Sequence, residues 1–280
     1  MDGVKLSRRE RLRAETVRDI KEIALRHMAE GGAAALSLRA IAREMGMTAG
    51  ALYSYYDTRN DLITALIVEV YESLARSLET ARAGWPGDPA GQMLAVGLTY
   101  REWAITNPPE FQLVYGNPIP GYQVPEDGAE LAAEHRACGV LIRIVAAAWP
   151  VILAGRAACP SPARDDRPLH PDTGPYAWSD FRPDFALMAR ESFPDLSPDA
   201  AALSLRIWGR LHGLVTLEVY GHLRPQVTDP ARLYRHELRD LCAGLGLGHG
   251  PTDPGAHDSL TTEGGQAGSR RGAGSAATRG

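Results

Sequence analysis

A stretch of twenty residues, from Ser37 to Tyr56, constrains the fold of this chain more than any other. Its first half places apolar side chains at the i, i+3, i+4 and i+7 positions of one helical face. Gly46 comes next and suits the left-handed backbone at the end of a helix, and Thr48 can cap a second, shorter helix. The pattern predicts two helices joined by a tight turn, a unit that places a recognition helix in the major groove of DNA. The apolar face consists of Leu38, Ile41, Ala42 and Met45.

The segments on either side of this motif are also predicted to be helical. A helix over about 9–30 precedes the motif, and a fourth helix over about 57–83 follows it, capped by Asp57 or Thr58. The fourth helix carries an apolar residue at every fourth position and is longer than a small head domain needs. We interpret it as the connector to the remainder of the chain. The inner faces are Val17, Ile20, Ala24 and Met28 on the first helix, and Leu62, Leu66, Val70, Leu74 and Leu78 on the fourth.

Charge is divided unevenly between this N-terminal part and the rest of the chain. Residues 1–60 hold 11 Arg and Lys and 8 Asp and Glu, a net charge of +3, whereas the remaining residues carry a net charge of −7. A basic head on an acidic body suits a small DNA-reading domain joined to something else. A net charge of +3 also lies within ordinary scatter, so the helical pattern carries more of the argument than the charge.

The rest of the chain is predicted to be a helical body over 88–246. We expect helices over about 90–106, 126–149, 184–191, 197–220 and 230–244, with a short one that ends near 115. The proline-rich segment 156–178 is predicted to be irregular, and the Gly-, Ser- and Ala-rich tail 247–280 to be disordered, because it has too little apolar surface to bury. The sequence contains no notable strand signal, so it predicts an all-α fold of about nine helices.

The helix over 197–220 carries the argument for a dimer. Ser197 can cap it and Pro198 fits its first position. The helix is apolar on nearly all sides, so we expect burial on two sides, and a single chain offers no partner for the second. Pairing of this helix and the helix over 230–244 with their symmetry mates would form a four-helix bundle in a homodimer.

The motif with its flanking helices resembles the DNA-binding domain of TetR-type transcriptional regulators. The resemblance covers about 14–74, with the helix-turn-helix at 37–56, and the chain departs from the family signature in two places. Tyr55 and Tyr56 stand where the family usually has His and Phe, and Arg59 stands where it usually has Lys. The residues that carry the resemblance are Thr48, Gly50, Leu52, Tyr53, Tyr55, Tyr56, Arg59 and Leu62.

The resemblance implies that the short helix over 48–55 reads DNA. In that role Thr48 contacts a phosphate or a base edge, Ala49 presses on a thymine methyl group, and Gly50 allows close backbone approach. Tyr53 and Tyr55 would direct their hydroxyls at phosphates, while Leu52 and Tyr56 would belong to the core. The full set of predicted DNA-binding residues is Ser37, Arg39, Thr48, Ala49, Gly50, Tyr53, Tyr55 and Arg59.

The body contains aromatic and histidine residues that are candidates for a ligand pocket. Trp208, His212 and Gly213 resemble the pattern of the Trp-His-Gly (WHG) type of C-terminal domain in the TetR family. Two interpretations remain open, since the Trp and His can be ordinary core residues or can sense a ligand. An effector for such a pocket is expected to be apolar or aromatic. The candidate pocket residues are Trp103, Tyr115, His135, Trp149, Trp208 and His212.

The sequence predicts no catalytic site, cofactor or metal site. It has no Gly-rich phosphate loop, nucleophile elbow or telling carboxylate pair, and its three dispersed cysteines form no CxxC pair. The apolar segment 137–155 contains Arg143, so we interpret it as a buried helix that ends near Pro150 rather than as a membrane span.

Two functional hypotheses follow. The first is a cytoplasmic transcriptional regulator, a ligand-released repressor that binds a palindromic double-stranded operator as a homodimer. The second is a helical small-molecule-binding or protein-interaction module without specific DNA affinity.

Overall fold

The computed structural model describes residues 7–32, 35–123, 128–158 and 175–248. Within these ranges the fold is all helical, as predicted, with ten α-helices rather than nine and one short 3-10 turn at Trp178–Asp180. The helices are α1 (Arg8–Gly31), α2 (Leu38–Glu44), α3 (Ala49–Tyr53), α4 (Arg59–Ala83), α5 (Pro89–Thr106), α6 (Pro108–Tyr115), α7 (Ala129–Ala158), α8 (Pro183–Ser192), α9 (Pro198–Val219) and α10 (Pro230–Gly244).

The first three helices and the start of α4 form a small head. A reciprocal pair of hydrogen bonds between Ser7 and Glu10 caps α1, so the helix begins where its free backbone amides find acceptors. Ile20 on α1, Ile41 on α2 and Leu52 on α3 are completely buried and form the centre of the head. The predicted inner face of α1 is confirmed at Ile20, Ala24 and Met28.

Helix α4 runs without interruption from the head into the body. Thr58 and Asp61 cap its first turn reciprocally, which decides between the two predicted caps in favour of Thr58. The predicted apolar positions from Leu62 to Leu78 are all buried, and α4 packs along α7 and α5. One rod of 25 residues therefore contributes to both parts of the molecule.

Helix α7 differs from the prediction at its C-terminal end. It continues through Pro150 to Ala158, so the expected end near Pro150 was wrong. Proline inside a helix removes one backbone hydrogen bond and crowds the preceding turn. The apolar residues on both sides of it are buried in the body, which outweighs this cost and keeps the segment helical; they are Ile144, Val145, Ala148 and Ile152. By length and composition the part over Ala129–Gly155 could cross a membrane, but its packing against α4, α5 and α9 makes it a core helix.

Helices α9 and α10 cover the C-terminal side of the body. Ser197 caps α9 and Pro198 occupies its first turn, as predicted. Only one side of α9 is buried, and the opposite side leaves Leu205, Leu217 and Tyr220 about two-fifths exposed. Leu247, the first residue of the predicted disordered tail, is buried, and its amide donates to the Cys242 carbonyl at 3.0 Å, so the predicted start of the tail was wrong. The part of the tail at 249–280 and most of the predicted irregular segment, at 159–174, lie outside the described residues.

Candidate nucleic-acid interface and ligand cavity

The turn between α2 and α3 has the hydrogen bonds of a glycine-terminated helix. The Gly46 amide donates to the Arg43 carbonyl at 3.2 Å, and the Met47 amide donates to the Ala42 carbonyl at 2.8 Å. Gly46 has a φ of 66°, in the left-handed region that glycine adopts at low cost. The turn spans the four residues between α2 and α3 and sets the position of α3 relative to α2.

Helix α3 presents its N-terminal and outer side chains to solvent. Thr48 caps the helix by accepting a hydrogen bond from the Ala51 amide at 3.2 Å, while Leu52 on the opposite side is completely buried. Thr48, Gly50 and Tyr53 are exposed, and a side chain added at Gly50 would meet no atom within 4 Å. Leu52 packs in the core of the head, and the exposed residues on the other side of α3 form a surface that is free to contact another molecule.

The remaining predicted contact residues surround this helix in different settings. Ser37 caps α2 by accepting from the Ala40 amide at 3.4 Å, and Arg39 on the same helix is exposed. Ala49 is half-buried, which leaves it less prominent than its neighbours Thr48 and Gly50.

The N-terminal arginines of α1 lie beside the end of α3. The Arg13 guanidinium donates to the Ser54 carbonyl at 3.3 Å and stacks over the Tyr55 ring at 4.7 Å from its centroid. Arg8 and Arg9 line the same groove. The Arg13 guanidinium therefore covers one face of the Tyr55 ring. Tyr55 and Tyr56 are both half-buried against the core of the head.

Arg59 does not point away from the protein. Its Nε donates to the Leu36 carbonyl at 3.1 Å, and its Nη1 donates to the Pro120 carbonyl at 3.5 Å. The next residue, Asn60, donates to the Gly121 carbonyl at 3.5 Å. The first turn of α4 thereby ties the head to the loop that follows α6.

A second connection continues from this loop into the body. The hydroxyl of Tyr122 lies 3.0 Å from the Thr64 hydroxyl on α4 and donates a hydrogen bond to the carboxylate of Glu130 on α7. Glu130 is almost fully buried, at 6% exposure. We call the set Arg59, Asn60, Thr64, Tyr122 and Glu130 the α4–α7 junction.

A cavity of about 370 Å³ lies in the body, above this junction. Helices α4, α5, α7, α8 and α9 supply most of its wall, which is mainly aliphatic and aromatic. This volume is within the range of small-molecule sites. Residues that line it include Leu74, Met93, Tyr100, Tyr115, Glu134, His135, Cys138, Phe185, Trp208 and Leu211.

Three of the six predicted pocket residues lie on this wall: Tyr115, His135 and Trp208. Trp103 instead packs behind the wall, with its ring stacked against Tyr100 at a centroid distance of 6.4 Å. Trp149 is half-buried against the core and is also absent from the wall.

His212 occupies an intermediate position behind the wall. Its Nδ1 lies 2.7 Å from the hydroxyl of Tyr100, a wall residue, and its Nε2 lies 3.2 Å from the Thr216 hydroxyl. The ring stacks on Trp208 at a centroid distance of 4.8 Å. Burial lowers the pKa of His212, so the ring is neutral near pH 7. Of its two nitrogens, one donates and the other accepts in the hydrogen bonds with the hydroxyls of Tyr100 and Thr216. The residue supports two wall residues without lining the cavity itself.

Sequence reasoning missed Tyr100, Glu134 and Cys138 as wall residues. A signal was available, because Met93, Val96 and Tyr100 recur at helical spacing on α5, and so do Glu134, Cys138 and Leu141 on α7. These faces are indistinguishable from ordinary core faces until the helices that oppose them are known.

The head and the body each match the sequence model of a known protein family. Residues 20–66 match the sequence model of bacterial regulatory proteins of the tetR family, and residues 93–241 match that of the tetracyclin repressor-like C-terminal domain. The chain belongs to the TetR family. It is 34% identical over 246 residues to the HTH-type transcriptional regulator Rv1816 of Mycobacterium tuberculosis, across 87% of this chain and 96% of that protein.

Solved structures agree with this assignment. The crystal structure of the protein SCO4313 has a TM-score of 0.61 and 32% identity, and the match covers 85% of this chain and all of that one. The TetR family transcriptional regulator PfmR of Thermus thermophilus shares the fold, with a TM-score of 0.50 at 15% identity over 81% of this chain and 98% of its own. The protein is a DNA-binding transcriptional regulator, as the first hypothesis holds. Repression, release by a ligand and the dimer stay proposals.

Proposed function

We propose that this regulator is a repressor that a small molecule releases from DNA. The observation that carries the proposal is the continuity of α4, which begins at the head with Arg59 and lines the body cavity with Leu74 and Leu78. A ligand that changes the width of the cavity moves α4, and α4 moves the head. Ligand and DNA then oppose each other through a coupling free energy, typically about 1–3 kcal/mol.

The head, proposed to span 14–74, would bind DNA through the exposed side of α3 and its neighbours. Thr48, Ala49 and Gly50 are proposed to meet base edges and the backbone, and Tyr53 and Tyr55 to meet phosphates. Ser37 and Arg39 on α2 would add phosphate contacts, which set register. Arg59 is proposed to act on DNA only indirectly, because its guanidinium is engaged at the α4–α7 junction.

The body, proposed to span 88–246, would bring two heads together in a homodimer. The outer side of α9 supports this, because Leu205, Leu217 and Tyr220 are exposed there and Gly209 and Gly213 leave open space for a close neighbour. Two heads would read the halves of a palindrome about 34–36 Å apart, or a multiple of this distance. Such a regulator acts in the cytoplasm, where bacterial DNA is found.

The dimer proposal is tested by Leu217→Glu and sedimentation equilibrium. A carboxylate in the middle of the seam is expected to shift the protein to monomer, since a buried unpaired charge costs several kcal/mol. Leu187→Glu on α8, at a position 59% exposed, is the matched control and should leave the mass unchanged. A wild-type protein that sediments as a monomer would refute the dimer.

The DNA proposal is tested by fluorescence anisotropy with the DNA upstream of the gene that encodes this protein, over a series of salt concentrations. Arg39→Ala is expected to reduce the slope of log affinity against log salt by about 0.9 for each phosphate that the variant no longer neutralises. Tyr53→Phe should weaken binding by about 0.5–1.5 kcal/mol per protomer through loss of one hydrogen bond.

The matched controls lie on the body. Arg190→Ala makes the same charge change on an exposed position of α8, and Tyr176→Phe removes a hydroxyl from a tyrosine that is 48% exposed. If the two controls weaken DNA binding as much as the head variants do, the contact set proposed for α2 and α3 is wrong.

A further inference from the structure

Glu134 is a solvent-exposed acidic side chain at the edge of the cavity wall. Within the described part of the chain it takes part in no hydrogen bond or ion pair. Its neighbours do: Glu130, one turn earlier on α7, accepts a hydrogen bond from Tyr122, and Glu79 on α4 pairs with Arg136 at 2.7 Å. A carboxylate that faces a cavity with its bonding capacity unused is a candidate for contact with the ligand.

The charge of Glu134 is poorly compensated by its surroundings. The protein on its inner side partly desolvates the carboxyl group and raises its pKa, and the negative charge of Glu130 raises it further. Burial raises the pKa of Tyr71 and that of Cys138, the latter to about 12, and the charge of Glu134 adds to both shifts. The edge of the cavity at Glu134 therefore carries negative charge, and a second negative charge is disfavoured there.

Aromatic rings make up another part of the same wall. The ring of Trp208 lies 5.1 Å from that of Tyr100 and 5.4 Å from that of Tyr115, measured between centroids. The faces of such rings attract a cation through their quadrupole, most strongly when water is excluded. The same wall can therefore bind an apolar group and stabilise a positive charge.

The other ionisable groups on the wall do not reverse this preference. Arg182 and Asp184 are, like Glu134, exposed at the edge of the cavity, and they have opposite charges. Burial lowers the pKa of His135, which keeps its ring neutral near pH 7. Among the lining residues, no cation other than Arg182 is available to an anionic ligand.

We propose that the ligand of this cavity is an organic cation with an apolar body, such as an aryl or alkyl ammonium. Glu134 supplies the opposite charge, and the rings of Tyr115 and Trp208 contact the cationic centre. A volume of about 370 Å³ limits the ligand to a small molecule. The inference deepens the proposed effector function and rests on it.

Three probes of nearly equal shape test the charge preference: para-hydroxyphenyltrimethylammonium, para-tert-butylphenol and para-hydroxybenzenesulfonate. Their dissociation constants for the full chain are measured by isothermal titration calorimetry. We expect the ammonium to bind at least about tenfold more tightly than the other two, a difference of about 1.4 kcal/mol. In Glu134→Gln this advantage should fall below about threefold, and in Glu134→Leu the neutral phenol should bind best.

Asp184→Asn is the matched control, because it removes the other exposed carboxylate of the cavity, whose charge is opposite to that of Arg182, and it should keep the tenfold preference. Denaturant unfolding checks that the Glu134 variants fold, and we expect their stability to stay close to that of the wild type, since the side chain is exposed.

Equal or tighter binding of the phenol or the sulfonate by the wild type would overturn the cation proposal, as would an unchanged preference in Glu134→Gln. In those cases, release of DNA by whichever probe binds would still support the effector function. If none of the probes binds, the cation proposal and the effector role of the cavity both fail, whereas DNA binding by the head is measured separately.

Discussion

The DNA-facing surface of the head and the cavity of the body are built in different ways. In the head, Ser37 and Thr48 each cap their own helix through an amide three residues further on. The cavity takes its wall from six helices, α4 to α9, and residues as distant along the chain as Leu74 and Leu211 meet there. Local hydrogen bonds therefore set where α2 and α3 begin, whereas packing between helices that are distant along the chain sets the size of the cavity.

The largest effect expected from this comparison is at Leu52. Leu52→Ala removes a completely buried side chain from the centre of the head, and comparable changes cost about 2–5 kcal/mol of unfolding free energy. DNA binding should be lost while the cavity still binds its ligand, as measured by denaturant unfolding, anisotropy and calorimetry. Leu187→Ala, at an exposed position, should change stability by less than about 0.5 kcal/mol. Loss of both activities in Leu52→Ala would mean that head and body do not behave as separate regions.

The next effect concerns the link between the two regions. Tyr122→Phe removes the hydroxyl that joins Thr64 on α4 to the buried Glu130 on α7, which should cost about 1–3 kcal/mol of stability. In a double-mutant cycle with Glu130→Gln, we expect a coupling energy of about 0.5–3 kcal/mol. Tyr176→Phe is the control and should have no effect. Additive losses in the cycle would show that the α4–α7 junction transmits nothing through this pair.

A smaller effect is expected in the pH dependence of stability, which the body shows through His212. The pKa of His212 is lowered in the folded protein, so the unfolded chain binds more protons below a pH of about 6.5. The stability that the neutral ring supplies is complete above that pH and is lost as the pH falls. His212→Gln should therefore flatten the decline in unfolding free energy between pH 7 and 5, by at most about 1.4 kcal/mol per pH unit. His236→Gln, at an exposed position on α10, should leave the decline unchanged. A steeper decline in His212→Gln would contradict this account.

The smallest effect is expected at the surface of the body. Arg136 on α7 pairs with Glu72 and Glu79 on α4, but all three are accessible to solvent, and such pairs contribute about 0–1 kcal/mol. Arg136→Ala should lose less than about 1 kcal/mol of stability, and the loss should shrink as salt is added. A larger loss that is insensitive to salt would mean that charge, rather than apolar packing, holds α7 against α4.

The same division between local and distant contacts explains what the sequence could predict. The helix-turn-helix, the caps at Thr48 and Ser197, and the buried face of α4 all depend on residues close along the chain, and the structure confirms them. The end of α7 was misplaced because Pro150 is a local signal to stop, and burial of Ile144 and Ile152 on the two sides of it outweighs that signal.

The cavity wall was only partly predictable for the same reason. Aromatic type alone identified Tyr115 and Trp208, but it also selected Trp103, which packs one layer behind. The position of Glu134 on the wall depends on how α7 is rotated against α4 and α9. That rotation is decided by long-range packing, which the residues of α7 do not encode by themselves.

The hydrogen bonds of Arg59 and Asn60 bear on the design of chimeras between related regulators. Their acceptors are the main-chain carbonyls of Leu36, Pro120 and Gly121, and every amino acid supplies a carbonyl. The exposed side chain at Pro120 can therefore change while the donors on α4 keep their partners, whereas Leu36 is buried and Gly121 has a φ of 73°, which constrains those two positions separately. We therefore expect a chimera with a foreign reading domain to keep its proposed response to the ligand, provided that it retains Arg59, Asn60 and the backbone path at 36.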